Sequence, residues 1–205
     1  MRPRPTALLV DLDGTLRRFD PAVIEGIERA HGLAPGSLLG TAMDWSRLMP
    51  AVIGEITHAE WMDVVATELT ARGADADAAK AAVKEWEAYR GEPDPDLLAL
   101  IREARAKGIR VGLATNATDL LPADLDALGL ADEFDAVINS SALGIPKPAR
   151  EYFGAAVQAL QTPPDRILFV DDSDRFVRGA RVAGLSAHRW TGPADIPYLR
   201  AALGL

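Results

Sequence analysis

Apolar positions along this chain follow two spacings in alternation. Short continuous runs of strand length lie at Ala7–Val10, Arg110–Ala114, Ala136–Asn139 and Ile167–Val170, with a weaker one at Leu185–Arg189. Stretches of helical spacing separate them. From Asp94, the residues Leu97, Leu100, Ile101 and Ala104 share one helix face, and Lys107-Gly108 supplies a basic last turn and a glycine stop. Tyr152, Phe153, Ala156, Val157 and Leu160 repeat the pattern. Strands alternating with helices of about 10–15 residues predict βαβ units. The predicted fold class is therefore α/β, a doubly wound (Rossmann-like) parallel sheet with helices on both faces.

One stretch breaks the alternation. From Arg17 to Glu92 there is no convincing strand, only capped amphipathic helices. Asp20-Pro21 opens the first, with Val23, Ile24 and Ile27 on one face and Gly32 as its stop. Thr57-His58-Ala59-Glu60 is a capping box that opens another, and Asp75 begins a third running toward Tyr89. Trp45, Trp61 and Trp86 supply enough apolar bulk for a separate small core. Pro93 and Pro95 mark the exit. The expectation is a small all-helical cap domain at 17–92, inserted after strand one into a catalytic core made of 1–16 and 93–205. An insertion at that point sits over the carboxyl end of the first strand, where open α/β sheets bind ligands.

The 205 residues are 48% apolar and 25% charged, an ordinary globular balance that excludes disordered and collagen-like classes. Thirty acidic against 22 basic side chains give a formal net charge of -8, and no basic stripe offsets it, which argues against nucleic acid as a partner. With no cysteine there is no disulfide, thiolate metal site or cysteine nucleophile. Met1–Val10 carries two Arg and two Pro before an apolar run ended by Asp11, too brief for a signal peptide or a membrane span. A cytoplasmic chain with no membrane partner is the expectation. The sequence carries no signal for an oligomeric state.

Candidate chemistry collects at the strand ends. Asp11-Leu12-Asp13-Gly14-Thr15-Leu16 follows the first strand, Thr115-Asn116 the second, a loop with Lys147 between Pro146 and Pro148 the third, and Asp171-Asp172-Ser173-Asp174 the fourth. Each alone reads as a turn, a helix cap or a solvated charge. Together they fall where a doubly wound sheet gathers its ligand loops. Clustered carboxylates repel unless a cation joins them, and oxygen-only donors select a hard ion, Mg²⁺ before Ca²⁺ or Zn²⁺. Thr115 and Lys147 add a hydrogen bond and a positive charge for phosphate oxygens. A carboxylate, Mg²⁺, Thr and Lys together form a phosphoryl-transfer site.

At these residues the chain resembles the haloacid dehalogenase-like (HAD) hydrolase superfamily, phosphatase type, with a helical cap after the first strand. The resemblance spans Ala7 to Arg189. It implies that Asp11 is the nucleophile, Asp13 the general acid/base, and Thr115, Asn116 and Lys147 the groups holding the phosphate. It implies Mg²⁺ on the Asp11 carboxylate, the Asp13 backbone carbonyl and the Asp172 carboxylate, with Asp171 acting through water. Dehalogenases of the superfamily lack an aspartate at the Asp13 position, so the implied activity is hydrolysis of a small-molecule phosphomonoester. A phosphomutase shares the first steps, and a degenerate relative would bind a phosphorylated metabolite or a partner protein without turnover. A phospho-accepting receiver domain uses similar residues, but there the acidic pair precedes the acceptor and no cap follows strand one.

Two positions depart from the pattern. Many capped relatives carry Asn or Asp four residues after the second aspartate of the fourth motif, where this chain has Phe176; Asp174, Ser140 or Ser141 are the expected substitutes for orienting Lys147. The third motif reads Lys147-Pro148-Ala149-Arg150 instead of Lys-Pro-Asp-Pro. Substrate choice is assigned to the cap, where Arg17, Arg18, Arg47, His58 and Glu60 are the polar candidates. Arg47 is the one expected to bind a second anionic group, while Glu60 has a capping role.

Overall fold

The structure is a computed structural model and describes residues 3–205, so the first two positions of Met1–Val10 lie outside the described residues. The strands in chain order are β1 (Ala7–Val10), β2 (Arg17–Arg18), β3 (Glu92–Pro93), β4 (Arg110–Thr115), β5 (Ala136–Asn139), β6 (Ile167–Asp171) and β7 (Ser186–Arg189). Between β2 and β3 lie α1 (Pro21–Ala30), α2 (Ser37–Ala42), α3 (Trp45–Val52), α4 (His58–Ala71) and α5 (Ala76–Ala88). After β3 come α6 (Pro95–Ala106), α7 (Leu121–Ala127), α8 (Ser140–Leu143), α9 (Arg150–Leu160), α10 (Asp174–Val182) and α11 (Ile196–Leu203).

β1 explains the layering. Leu8 and Val10 pack with α6, α7 and α11, whereas Ala7 and Leu9 pack with α9 and α10. A strand covered on both faces has to be apolar throughout, the mark of a parallel sheet between helix layers. Each such Leu or Val contributes about 1.5–3 kcal/mol relative to an exposed one. The sheet order is β5-β4-β1-β6-β7, with every neighbouring pair parallel. Strand order reverses on either side of β1, which opens a crevice at its carboxyl end.

The five helices from α1 to α5 share a cluster of their own, with Ile24, Ile27, Leu38, Trp61, Val65 and Leu69 at its centre. The capping box forms as expected: Thr57 accepts from the Glu60 backbone and Glu60 from that of Thr57. Trp45 differs from expectation. It begins α3 and remains 44% exposed, so Trp61 and Trp86 supply the indole packing without it. Both ends of this segment are tied together, because β2 and β3 pair antiparallel through Arg17–Pro93 and Arg18–Glu92. These two-residue strands carry no readable alternation, which is why no strand is predicted there. The helices rest on the core through Ser140 Oγ, which donates to Val52 O at 2.7 Å, and the His58 N–H, which donates to Asp119 Oδ1 at 2.7 Å.

Candidate active site

Register places the acidic groups. Val10 of β1 pairs with Val170 of β6, and the Asp11 N–H donates to Val170 O at 2.9 Å, so Asp11 and Asp171 emerge side by side at the sheet's end. Lys147 reaches them from the loop after α8. Its Nζ lies 2.6 Å from Asp11 Oδ1 and 2.7 Å from Asp171 Oδ2, with the residue only 2% exposed. Asn116 fixes that loop, accepting from Lys147 N at 2.8 Å and donating to Lys147 O at 3.1 Å. Thr115 ends β4, the strand on the other side of β1, and is buried.

The turn after β1 brings Asp172 close. Thr15 Oγ1 donates to Asp11 Oδ2 at 3.3 Å and accepts the Asp172 N–H at 3.0 Å. Gly14 has φ +84°, and a Cβ there would lie 2.6 Å from Asp172 Oδ2. Only glycine lets the turn pass so close to that carboxylate. As a result Asp11, Asp171 and Asp172 each offer a carboxylate oxygen within 4.8 Å of the others.

One ammonium pairs with two of these three carboxylates, and burial dominates their electrostatics. Burial pushes the Asp11 carboxyl up to about 7; Lys147 opposes the rise and Asp171 adds to it. Asp172 is likewise raised, by burial first and by Asp171 next. Burial alone would lower Lys147, but Asp11 and Asp171 outweigh it and hold the ammonium above its ordinary value. Three carboxylates and one lysine leave a formal charge of two negatives, and the donors are oxygens alone. That set fits a divalent hard cation such as Mg²⁺.

Asp13 has a different partner. Arg17 grips it with two hydrogen bonds, Nε to Oδ1 at 2.6 Å and Nη2 to Oδ2 at 3.1 Å. The same guanidinium donates from Nη1 to Asp124 Oδ2 at 2.7 Å, and Arg90 donates to Asp124 Oδ1 at 2.9 Å. Burial pulls Arg17 down, yet Asp13 and Asp124 more than compensate and keep it above its ordinary value. The network joins the turn after β1, the end of α5 and helix α7.

A cavity of about 470 Å³ opens between Asp13, Gly14 and Asn116 below and α1 to α5 above. The structure does not bring Arg47 there. Its guanidinium lies at 2.8 Å from Asp44 and 2.9 Å from Glu68, so the pairing is within the helical segment. Asp174 pairs with Arg178 instead of Lys147, and the Ser140 and Ser141 groups bond to Val52, Ala117 and Asn139. Lys147 is oriented by Asp11 and Asp171 themselves and by Phe176, whose ring centre lies 4.9 Å from Nζ. Sequence reasoning misses Thr15, Arg90 and Asp124. Thr15 adjoins the Asp-rich turn, and that adjacency is a usable signal; Asp124, in the first turn of α7, looks like any acid at a helix start.

Fold and site define the class: a Rossmann-like α/β protein with a buried Asp–Lys–Asp cluster at the strand-order reversal. The model of the family described as haloacid dehalogenase-like hydrolase matches residues 5–184, and the chain belongs to that family. A Mycobacterium tuberculosis protein named phosphatase MT3486 is 36% identical over 96 residues, which span 46% of this chain and 44% of the relative. This first match thus spans less than half of the relative's own length. A phosphoglycolate phosphatase of Rhodospirillum rubrum is 30% identical over 88% of this chain and 77% of its own. Among solved structures, a HAD family enzyme of Bacteroides thetaiotaomicron in complex with magnesium and inorganic phosphate superposes with TM-score 0.70 at 22% identity, covering 90% of this chain and 93% of that one. An L-2-haloacid dehalogenase of Xanthobacter autotrophicus superposes with TM-score 0.67 at 24% identity, covering 90% and 77%. Among the described residues no helix is long and apolar enough to cross a membrane.

Proposed function

We propose that this protein is a Mg²⁺-dependent phosphatase that hydrolyses a small-molecule phosphomonoester through an aspartyl phosphate on Asp11. The observation that carries the reading is the convergence of Asp11, Asp171 and Asp172, the first two of them on a buried lysine, with a further carboxylate, Asp13, two residues from Asp11. Phosphatase names among the relatives support it, and Asp13 favours it over dehalogenation. Asp11, Asp172 and the Asp13 backbone carbonyl would hold Mg²⁺, with Asp171 kept beside it by Lys147. When bound, the ion supplies charge neutralisation for the phosphate oxygens.

An Asp11 carboxylate oxygen attacks phosphorus, and the ester P–O bond breaks as the new one forms. Lys147 offsets the repulsion between carboxylate and phosphate dianion, which otherwise makes this nucleophile a poor one. Thr115 and Asn116 border the space for the phosphate. Asp13 gives its proton to the leaving alkoxide, then takes one from the water that attacks phosphorus and releases Asp11. To do so it has to exchange the Arg17 fork for the substrate oxygen. Residues 17–92 act as the cap in this reading, closing over a compact metabolite in the cytoplasm.

The test is phosphate release from a panel of phosphomonoesters with Mg²⁺. Release that vanishes both with a chelator and in Asp11→Asn supports the assignment. Phosphate returned only to another position of the substrate would indicate a mutase, and binding without release in either form a degenerate relative.

A further inference from the structure

The cavity under the helices differs in kind from the phosphate end of the site. Its wall is mostly apolar and includes an aromatic run: Trp61 and Trp86 meet edge to face at 5.9 Å, as do Phe19 and Tyr89 at 5.8 Å. Faces and edges of this kind receive a flat apolar group by stacking or edge contact. The volume of about 470 Å³ lies within the roughly 300–1,000 Å³ of small-molecule sites.

Charge on the wall is committed elsewhere. Arg17 donates to Asp13 and Asp124, and Arg90 to Asp124, so each guanidinium already faces a carboxylate of the wall. Glu87, which lies 3.5 Å from His58 Nε2, brings a third carboxylate to a wall with two arginines. A second anionic group on the substrate would meet net negative charge. A polyol fares no better, because hydroxyl groups against an apolar wall lose their water without gaining partners.

One buried polar atom on this wall, Trp61 Nε1, has no hydrogen-bond partner among the described residues. Indole nitrogen is a donor only. His58 is held on both ring nitrogens, with Nδ1 3.1 Å from Thr118 Oγ1 and Nε2 3.5 Å from Glu87 Oε1. The rings of His58 and Trp61 meet edge to face at 5.4 Å, so the indole donor shares a corner of the cavity with an imidazole already paired. Buried donors without partners are uncommon and call for an acceptor.

We propose that the cavity selects the phosphomonoester of an aromatic or similarly flat apolar alcohol that carries an oxygen acceptor remote from its phosphate. This assignment rests on the phosphatase reading and deepens it. It disfavours polyol phosphates and phosphates bearing a carboxylate.

The experiment compares kcat/KM, with Mg²⁺, for phenylethyl phosphate, its para-hydroxylated analogue, glycerol phosphate and phosphoglycolate, all of them alkyl phosphates. The two aromatic esters are expected to exceed the other two by roughly a hundredfold, a discrimination on the scale that apolar pocket contacts reach. Trp61→Phe keeps the ring and removes the donor, so it narrows the advantage of the hydroxylated over the plain aromatic ester by about tenfold. That ratio is taken within one preparation, so a loss of folded protein does not alter it. Glycerol phosphate or phosphoglycolate turned over as well as the aromatic esters overturns the assignment and leaves the phosphatase reading intact. If no ester is hydrolysed, that reading fails by itself, and calorimetry with the parent alcohols decides on the cavity. Binding of the hydroxylated alcohol that weakens in Trp61→Phe supports the assignment, and absence of binding overturns it.

Discussion

On one side of the turn after β1, three carboxylates converge and two of them share a single buried ammonium; on the other, Arg17 and Arg90 are matched to Asp13 and Asp124 beneath a mostly apolar wall. The first region carries surplus charge and has the composition of a place for a dication and a phosphate. The second has its arginines satisfied and suits the part of a substrate that carries no charge. Asp13 stands between them, the one carboxylate of the turn whose partner belongs to the second region. In the proposed reading, chemistry and choice of substrate are held by separate sets of contacts, joined through Arg17.

The charged side is most vulnerable at Lys147, and Lys147→Met exposes this. Removing one partner of a buried ion cluster leaves the others uncompensated, and the loss should be about 3–5 kcal/mol in denaturant unfolding without metal. Added Mg²⁺ should recover part of it, since a ligand that binds only the folded state stabilises that state. Recovery equal in wild type and variant would count against the idea that lysine and cation share one charge deficit. Arg17→Lys probes the junction next. It keeps a charge but loses the fork on Asp13 and Asp124, and kcat should fall by about tenfold to a hundredfold, part of the roughly 10²–10⁴-fold that a positioned acid–base group supplies. KM should change little; a rise in KM alone would place Arg17 in binding instead.

Much of the sheet is legible in the amino-acid sequence, and the reason is physical. Strands such as β1 and β6 are buried on both faces, so their residues run apolar until the chain meets the ligand crevice. The Asp-rich turn, Lys147 and the Asp171-Asp172 pair are readable for the same reason, as polar groups abruptly following such runs. What stays hidden is contact between residues remote in sequence. Arg17 and Asp124 are 107 positions apart, and each resembles an ordinary solvated charge in its local context. Arg47 misleads for the converse reason: a lone arginine between helical patterns looks free, and only the fold supplies Asp44 and Glu68. Phe176 is legible as a departure but not as a solution, because a ring against an ammonium leaves no spacing signature.

Two smaller effects separate the regions further. Phe176→Leu removes the ring near Lys147 and should cost about 0.5–2 kcal/mol, measured by the same unfolding experiment; no change would leave the lysine supported by the Asp11 and Asp171 carboxylates alone. The smallest effect concerns His58, whose pKa burial pushes below its ordinary 6.5. A histidine held neutral on folding stabilises fully above that value, and the contribution is lost as pH falls through the lower folded value. Unfolding midpoints compared between about pH 7 and about pH 5, roughly the window that histidine governs, should drop less in His58→Gln than in wild type. An equal drop would assign the acid sensitivity elsewhere.

Everything on the charged side turns on Asp11 carrying the phosphoryl group, and peptide mass mapping after rapid acid quench of a turnover mixture reads that out. One phosphoryl group is expected on the peptide containing Asp11, with greater accumulation in Asp13→Asn, where attack by water is slowed, and none in Asp11→Asn. Phosphate release at full rate with no label on Asp11 in either wild type or Asp13→Asn would contradict it.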